Sequence, residues 1–273
     1  MAQLVALQMV SVPDVEENLK QVETLLNSIP VDEPTLVVLP ECFIFFGARD
    51  RDLFNVKETY KQGAIQQRLR ELAKRFGVWL VAGTIPVSVD NEERFTATSL
   101  VYDEQGNEVG RYDKIHLFDV EVSDSTKSYR ESRYTKPGEN ILVIPDTPFG
   151  RLGVAVCYDI RFAGQFNAMA PVDVLALPAA FTQVTGKAHW HALLQCRSIE
   201  LQSYVVAANQ GGIHTNGRET FGHSCIYSPW GELQAQKTKG TGIAYSFSEI
   251  ETVNKIRAQM PINKQNRFRS EFE

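Results

Sequence analysis

Short apolar runs alternate along the chain with longer stretches whose apolar positions recur every three or four residues. Residues 4–9 and 35–39 are runs of the first kind and read as buried strands, the second ending at Pro40-Glu41. Between them, Asp14 is placed to cap a helix reaching about Ser28, with Leu19, Val22, Leu25, Leu26 and Ile29 on one side. Ile65, Leu69, Leu72 and Phe76 mark another helix, stopped by Gly77, and residues 78–82 a third strand. This β-α-β-α-β order predicts a sheet with helical crossovers.

The middle of the chain changes character. Residues 96–102 and 108–112 flank a polar turn at 103–107 and read as a hairpin. A polar segment over 119–140 reads as a loop, long for a compact domain, and such loops often carry function. Strands are expected at 141–144 and 152–156, the latter ending at Cys157. The second half then repeats the first in outline. It has a strand at 173–177 ending at Pro178, a helix at 187–203 and a strand at 204–208. A hairpin at 224–236 turns at 229–231, and a last strand at 242–247 precedes a short helix at 249–257. No linker interrupts this order. The expectation is a single α/β domain over residues 1–273 with two similar halves, built as a four-layer αββα sandwich of two mixed sheets.

Composition narrows the partners. The 273 residues carry 28 basic and 33 acidic side chains, a net charge of −5 with no Lys/Arg block, so a nucleic-acid footprint is not expected and a small-molecule substrate is. No stretch approaches the roughly 20 apolar residues that span a bilayer. The amino-terminal run lacks a basic flank and is broken by Gln3 and Gln8, so no signal peptide, no membrane partner and a cytoplasmic location are expected. Cys42, Cys157, Cys196 and Cys225 form no C-x-x-C pair, and neither a zinc site nor a disulfide framework is suggested. His189 and His191 fall about 200° apart on a helix and cannot share a metal face. His214 and His223 flank a glycine-rich loop that could line a pocket. No metal is expected.

Three reactive residues stand where buried strands or hairpins end: Glu41, Lys114 and Cys157. In open α/β sheets, ligands gather at such strand ends. A thiol at its ordinary pKa near 8.5 is mostly protonated at neutral pH, so a nucleophilic cysteine needs a proton acceptor. A carboxylate can take that proton and return it to a leaving amine. An ammonium within bonding reach steadies the oxyanion on the attacked carbonyl, and the backbone N–H of Tyr158 offers a second donor. Each residue also has a plainer role open to it, respectively capping the next element, ending a strand in solvent, and packing. Cys42, Cys196 and Cys225 read as packed thiols, and Arg197 with Glu200 as a structural helix pair.

The strings around the three residues, LPECFIFFG at 39–47, YDKIHLFDV at 112–120 and GVAVCYDIRF at 153–162, resemble the Glu, Lys and Cys signatures of the nitrilase (carbon–nitrogen hydrolase) superfamily, in its order and across nearly the whole chain. The resemblance implies Glu41 as general base, Lys114 as oxyanion stabiliser and Cys157 as nucleophile. It also implies a thioester intermediate, the αββα fold and no cofactor. Members commonly pair through helices near the Cys segment, so a homodimer or higher homo-oligomer is expected. The family's second glutamate maps to Glu131 in YRESRYTKPG, with the implied role of orienting Lys114 and substrate; an exposed loop carboxylate is the other reading. Within the superfamily, KIHLFDVEV, YRESRYTKPGE, AFTQVTGKAHWHALLQCRSIE and HTNGRETFGHS look like the deaminated-glutathione amidases, which release 2-oxoglutarate and cysteinylglycine. Ala163-Gly164 departs from the Pro-Glu that relatives usually show there. Such a substrate bears two carboxylates, which makes Arg130, Arg133, Arg161 and Arg218 candidate binding residues. Arg161 could instead pair with Asp159. An ω-amidase or another small-amide or carbamoyl hydrolase is the alternative within the class. A metal-dependent phosphoesterase and a non-catalytic binding protein are the alternatives outside it.

Overall fold

Local chemistry sets the first crossover. Strand β1 (Ala2–Gln8) leads to Asp14, whose carboxylate accepts the Glu17 N–H at 2.9 Å and so starts α1 (Val15–Leu26). After β2 (Thr35–Val38), α2 (Ala64–Phe76) ends at Gly77 in the left-handed conformation (φ 62°) that terminates helices. Then follow β3 (Trp79–Val81), β4 (Ile85–Ser88), β5 (Phe95–Tyr102) and β6 (Glu108–Asp113). The computed structural model describes residues 1–124, 128–268, 270 and 271.

The rest of the described chain comprises β7 (Asp119–Glu121), β8 (Ser128–Arg130), β9 (Leu142–Ile144), β10 (Leu152–Val154), α3 (Ala163–Met169) and β11 (Val174–Ala179). It continues with α4 (Gln183–Leu201), β12 (Tyr204–Asn209), β13 (Ser224–Tyr227), β14 (Leu233–Lys237), β15 (Gly242–Ser248), α5 (Ile250–Gln259) and α6 (Ile262–Gln265). Among the described residues, one mixed sheet has the order β15-β1-β2-β3-β5-β4, with β6 also on β5. The other runs β14-β13-β12-β11-β10-β9.

Alternation within the strands produces the layers. Leu4, Ala6, Leu36, Val38, Trp79 and Val81 turn toward the second sheet and share a core with Val154, Ala176 and Val206. Their neighbours Val5, Leu7, Val37, Leu80 and Ala82 turn the other way, onto α1 and α2. The outer face of the second sheet is covered by α3 and α4 through Phe166, Met169, Trp190 and Leu194. Two mixed sheets lie face to face with helices outside, the expected αββα sandwich.

Several boundaries differ from expectation for physical reasons. The segment 119–140 is not a plain loop: β7 and β8 pair antiparallel there, Val120 opposite Tyr129, and residues 131–133 form a 3-10 turn. Strand β4, not among the expected elements, contains Pro86. The proline is tolerated because β4 sits at the sheet edge, laddered to β5 on one side and met on the other by the isolated Glu58 bridge. Strand β11 runs through Pro178 rather than stopping at it; β10 ends opposite Ala176, so Pro178 has a ladder neighbour on one side only. Helix α4 starts four residues earlier than expected, because the Thr182 hydroxyl caps it by accepting the Thr185 N–H at 3.2 Å. Gly186 then falls in its first turn, where a Cβ would stand 2.3 Å from Phe221. Helices α3 and α6 were not expected.

Candidate active site

Glu41 follows β2 at a corner that only close backbone contact allows. Cys42 next to it has φ +54°, and its N–H is held by the Thr84 hydroxyl at 2.9 Å. Gly83 passes so near that a Cβ there would meet the Pro40 carbonyl at 2.1 Å. The Glu41 backbone carbonyl accepts from the Gln210 amide at 3.1 Å.

Lys114 follows β6 and is 1% exposed. Its Nζ donates to Glu41 Oε1 at 2.7 Å and to Glu131 at 3.1 Å (Oε1) and 2.8 Å (Oε2). Glu131 Oε2 also accepts the Phe118 N–H at 2.7 Å. Burial alone would push the Lys114 ammonium down, but the two carboxylates outweigh it and hold it well above its ordinary value, so it stays charged. Burial raises Glu131, against the pull of Lys114.

Cys157 follows β10 at φ +48°, a left-handed conformation that costs a non-glycine residue on the order of 1–3 kcal/mol and persists only where its surroundings enforce it. The enforcing group is Asp159, fully buried in the 3-10 turn Cys157–Arg161. It accepts from the Val156 N–H (2.8 Å), the Tyr112 hydroxyl (2.6 Å) and the His116 N–H (3.0 Å), and faces His116 Nδ1 at 2.8 Å. Since Tyr112 and His116 flank Lys114, Asp159 ties the lysine's segment to the cysteine's. The turn's first backbone bond runs from the Asp159 N–H to the Val156 carbonyl at 3.1 Å, leaving the Tyr158 N–H ahead of it at the open end. Burial, then the Glu41 charge, raise the Cys157 thiol well above the ordinary thiol range. At rest the sulfur therefore carries its proton, with the Glu41 carboxylate in the same hollow to take it.

Glu41, Lys114, Glu131 and Cys157 thus meet at the floor of one hollow, whose walls include Phe45, Phe46, Phe118, Tyr158 and Phe181. Arg161 and Arg218 reach its wall, as does Arg49, which the sequence did not single out. Arg130 and Arg133 do not. Tyr129 is buried, so on the strand β8 its neighbour Arg130 points outward, where it pairs with Glu121. Arg133 lies over the Tyr134 ring beside a separate cleft. Arg161 makes no pair with Asp159, whose oxygens are taken. It lies over the Tyr158 and Phe181 rings, and its Nε has no acceptor among the described residues.

Neither His214 nor His223 lines this hollow. His214 bonds to the Ser11 carbonyl and Thr220, and burial lowers its pKa to about 4. His223 faces His191 and Gln236. Arg197 pairs with Glu200 as read. Cys225 is buried, but Cys196 is exposed, one step off the α4 face that packs through Leu194, Arg197 and Ser198. Cys42 lies in the wall beside Glu41. Asp159 and its partners were missed; the available signal was a carboxylate enclosed by an apolar run, which burial obliges to find several donors.

A thiol, an acceptor for its proton, a charged ammonium and an open N–H around one cavity can together add a sulfur to a carbonyl and stabilise the oxyanion. The Carbon-nitrogen hydrolase family model matches residues 3–258. The chain is 39% identical over 270 residues to a deaminated glutathione amidase of Yersinia enterocolitica, covering 98% of this chain and 93% of that one. It is 33% identical over 267 residues to the omega-amidase NIT3 of Saccharomyces cerevisiae, covering 94% and 90%. The solved structure of Saccharomyces cerevisiae Nit3, a member of branch 10 of the nitrilase superfamily, has a TM-score of 0.85 at 30% identity, over 98% of this chain and 97% of that one.

Proposed function

Because the chain belongs to the carbon–nitrogen hydrolase family, we propose that it is an amidase that opens a small linear amide through a Cys157 thioester, with deaminated glutathione as its substrate. The Lys114 ammonium locked between Glu41 and Glu131 beside Cys157 is the observation that carries this reading. The Cys157 sulfur attacks the amide carbon while its proton passes to Glu41. The resulting oxyanion lies against Lys114 Nζ and the Tyr158 N–H. On collapse the C–N bond breaks and Glu41 returns the proton to the departing amine. Water then adds to the thioester, giving its proton to Glu41, and the acid leaves as the thiol is restored. Glu131 positions Lys114. For the preferred substrate the acid is 2-oxoglutarate and the amine cysteinylglycine.

Two supports favour this substrate: the Yersinia relative's name and the arginines of the wall. Arg161, which lines the same hollow as Cys157 and whose Nε has no acceptor among the described residues, is the residue we assign to the carboxylate of the acyl half. The likeness to omega-amidase NIT3 keeps a 2-oxoglutaramate-type substrate as the second reading. The phosphoesterase and the non-catalytic binder give way to the family assignment.

Brief exposure to each candidate amide followed by mass spectrometry tests this. A 2-oxoglutaryl increment on the Cys157 peptide is expected, with faster turnover of deaminated glutathione than of 2-oxoglutaramate; the reverse preference would favour the second reading. Glu41→Gln should slow formation of that adduct by roughly 10²–10⁴-fold. An adduct forming at the wild-type rate would place the base elsewhere.

The reading includes a cytoplasmic homodimer. Among the described residues no helix is long and apolar enough to cross a membrane, and the four cysteines are free thiols. Helix α4 exposes Val184 and Ile199, and Trp230 stands open beside Gly231, which packs on Ile199. Recovery from the cytosolic fraction as a species of twice the chain mass is expected; a monomer in sedimentation at micromolar concentration overturns the dimer.

A further inference from the structure

Arg218 is the other arginine of the wall, and it is held in two separable ways. Its guanidinium lies 5.0 Å from the centre of the Phe46 ring and 5.0 Å from that of Tyr129. Its backbone is pinned as well: the His214 N–H donates to the Arg218 carbonyl at 2.9 Å, and the Arg218 N–H to Asn216 Oδ1 at 2.9 Å. Asn216 in turn bonds the Gly47 carbonyl at 2.7 Å, joining this loop to the segment that carries Asp50. None of these contacts requires an ion pair.

An ion pair is nevertheless present. Arg218 Nη1 meets Asp50 Oδ1 at 3.3 Å, with the two side chains 25% and 46% exposed. Both residues line the hollow above Cys157. A single long contact, half open to solvent and screened by it, is easily exchanged. A carboxylate from a ligand can present two oxygens to the same fork, which is the stronger geometry. The rings keep the guanidinium in place during such an exchange.

We propose that Asp50 is a built-in stand-in for a substrate carboxylate: it occupies Arg218 while the hollow is empty and yields it to the terminal carboxylate of the leaving half, so that Arg218 selects acid-terminated amines and Asp50 competes with them. This rests on the amidase reading above and adds the residue pair that sets leaving-group preference. The pair has an unusual signature. If it merely strapped the mouth, removing either partner would loosen the same contact and shift substrate affinity in the same direction. Competition requires opposite directions.

The test compares deaminated glutathione with its carboxy-terminal amide, which shares the scissile bond and the acyl half. The wild type is expected to favour the acid in KM by about tenfold or more. Arg218→Gln should bring that ratio close to one, and Arg218→Lys should restore part of it. Asp50→Asn should widen the ratio by about two- to fivefold, the worth of a half-exposed ion pair. A wild-type ratio near one, or Asp50→Asn and Arg218→Gln moving it the same way, overturns the proposal. A second arm needs no turnover: alanylglycine and its amide are compared as protectants of Cys157 against iodoacetamide in the same four proteins. A wild type that hydrolyses neither deaminated glutathione nor its carboxy-terminal amide sinks the substrate reading. The protection arm then still decides on Arg218 and Asp50, by the same opposite shifts.

Discussion

Cys157→Ala is expected to abolish amide turnover, leaving less than about 1% of kcat/KM, while the protein stays folded. The two halves of this result have different causes. The sulfur is the atom that forms the covalent bond, and no other group on the floor of the hollow can replace it; Cys42, one residue past Glu41, sits in the wall and is pushed by burial, then by Glu41, to a very high pKa. The fold survives because the change removes a single buried sulfur from a large core. The bent turn is held by Asp159 through Val156, Tyr112 and His116. Circular dichroism and the thermal midpoint should match wild type within a few degrees. Residual activity above that threshold in a preparation free of wild-type protein would remove Cys157 from the nucleophile's role.

Lys114→Met should lose both rate and stability. Rate falls by at least about 10²–10³-fold, the usual effect of removing one oxyanion donor. Stability falls by about 3–5 kcal/mol at pH 7, because removing one member of a buried ionic group leaves its partners uncompensated. Here the partners are Glu41 and Glu131, both in contact with Nζ. The deficit should shrink in acid. Burial already raises Glu131, and losing the lysine takes away the charge that opposes this. A carboxyl whose folded pKa is raised binds a proton that the unfolded chain, titrating near 4.3, has released. Its folded form therefore gains on the unfolded one as pH falls from 7 toward 5. Urea unfolding at pH 7 and pH 5.5 reads the effect. A variant as stable as wild type at pH 7, or one whose deficit grows in acid, would contradict the arrangement of one cation between two carboxylates.

The parts of this site that were legible in the sequence are those where residue type and strand end coincide. Glu41, Lys114 and Cys157 each follow an apolar run or a hairpin, and the layered fold follows from runs such as 4–9 and 35–39 separated by helical spacing. The arginines were not separable in the same way. Whether Arg130 or Tyr129 faces the hollow depends on the parity of β8, and that short strand lies in a segment whose polarity reads as loop. Asp50 and Arg218 are 168 positions apart and meet only because Asn216 and Gly47 bring their loops together. Pro178 misled because a proline is costly in a strand only where its missing N–H would have had a partner.

The acid and the sulfur hang from opposite leaves of the sandwich, Glu41 from the leaf of β2 and Cys157 from that of β10. The apolar filling between them, Ala6 and Val38 against Val154 and Ala176, therefore works as a caliper whose jaws are the reacting groups. Because an error of about 1 Å in alignment can cost a hundredfold in rate, the thickness of that filling governs chemistry as well as folding. The interior is thereby constrained twice, once by cohesion and once by reach.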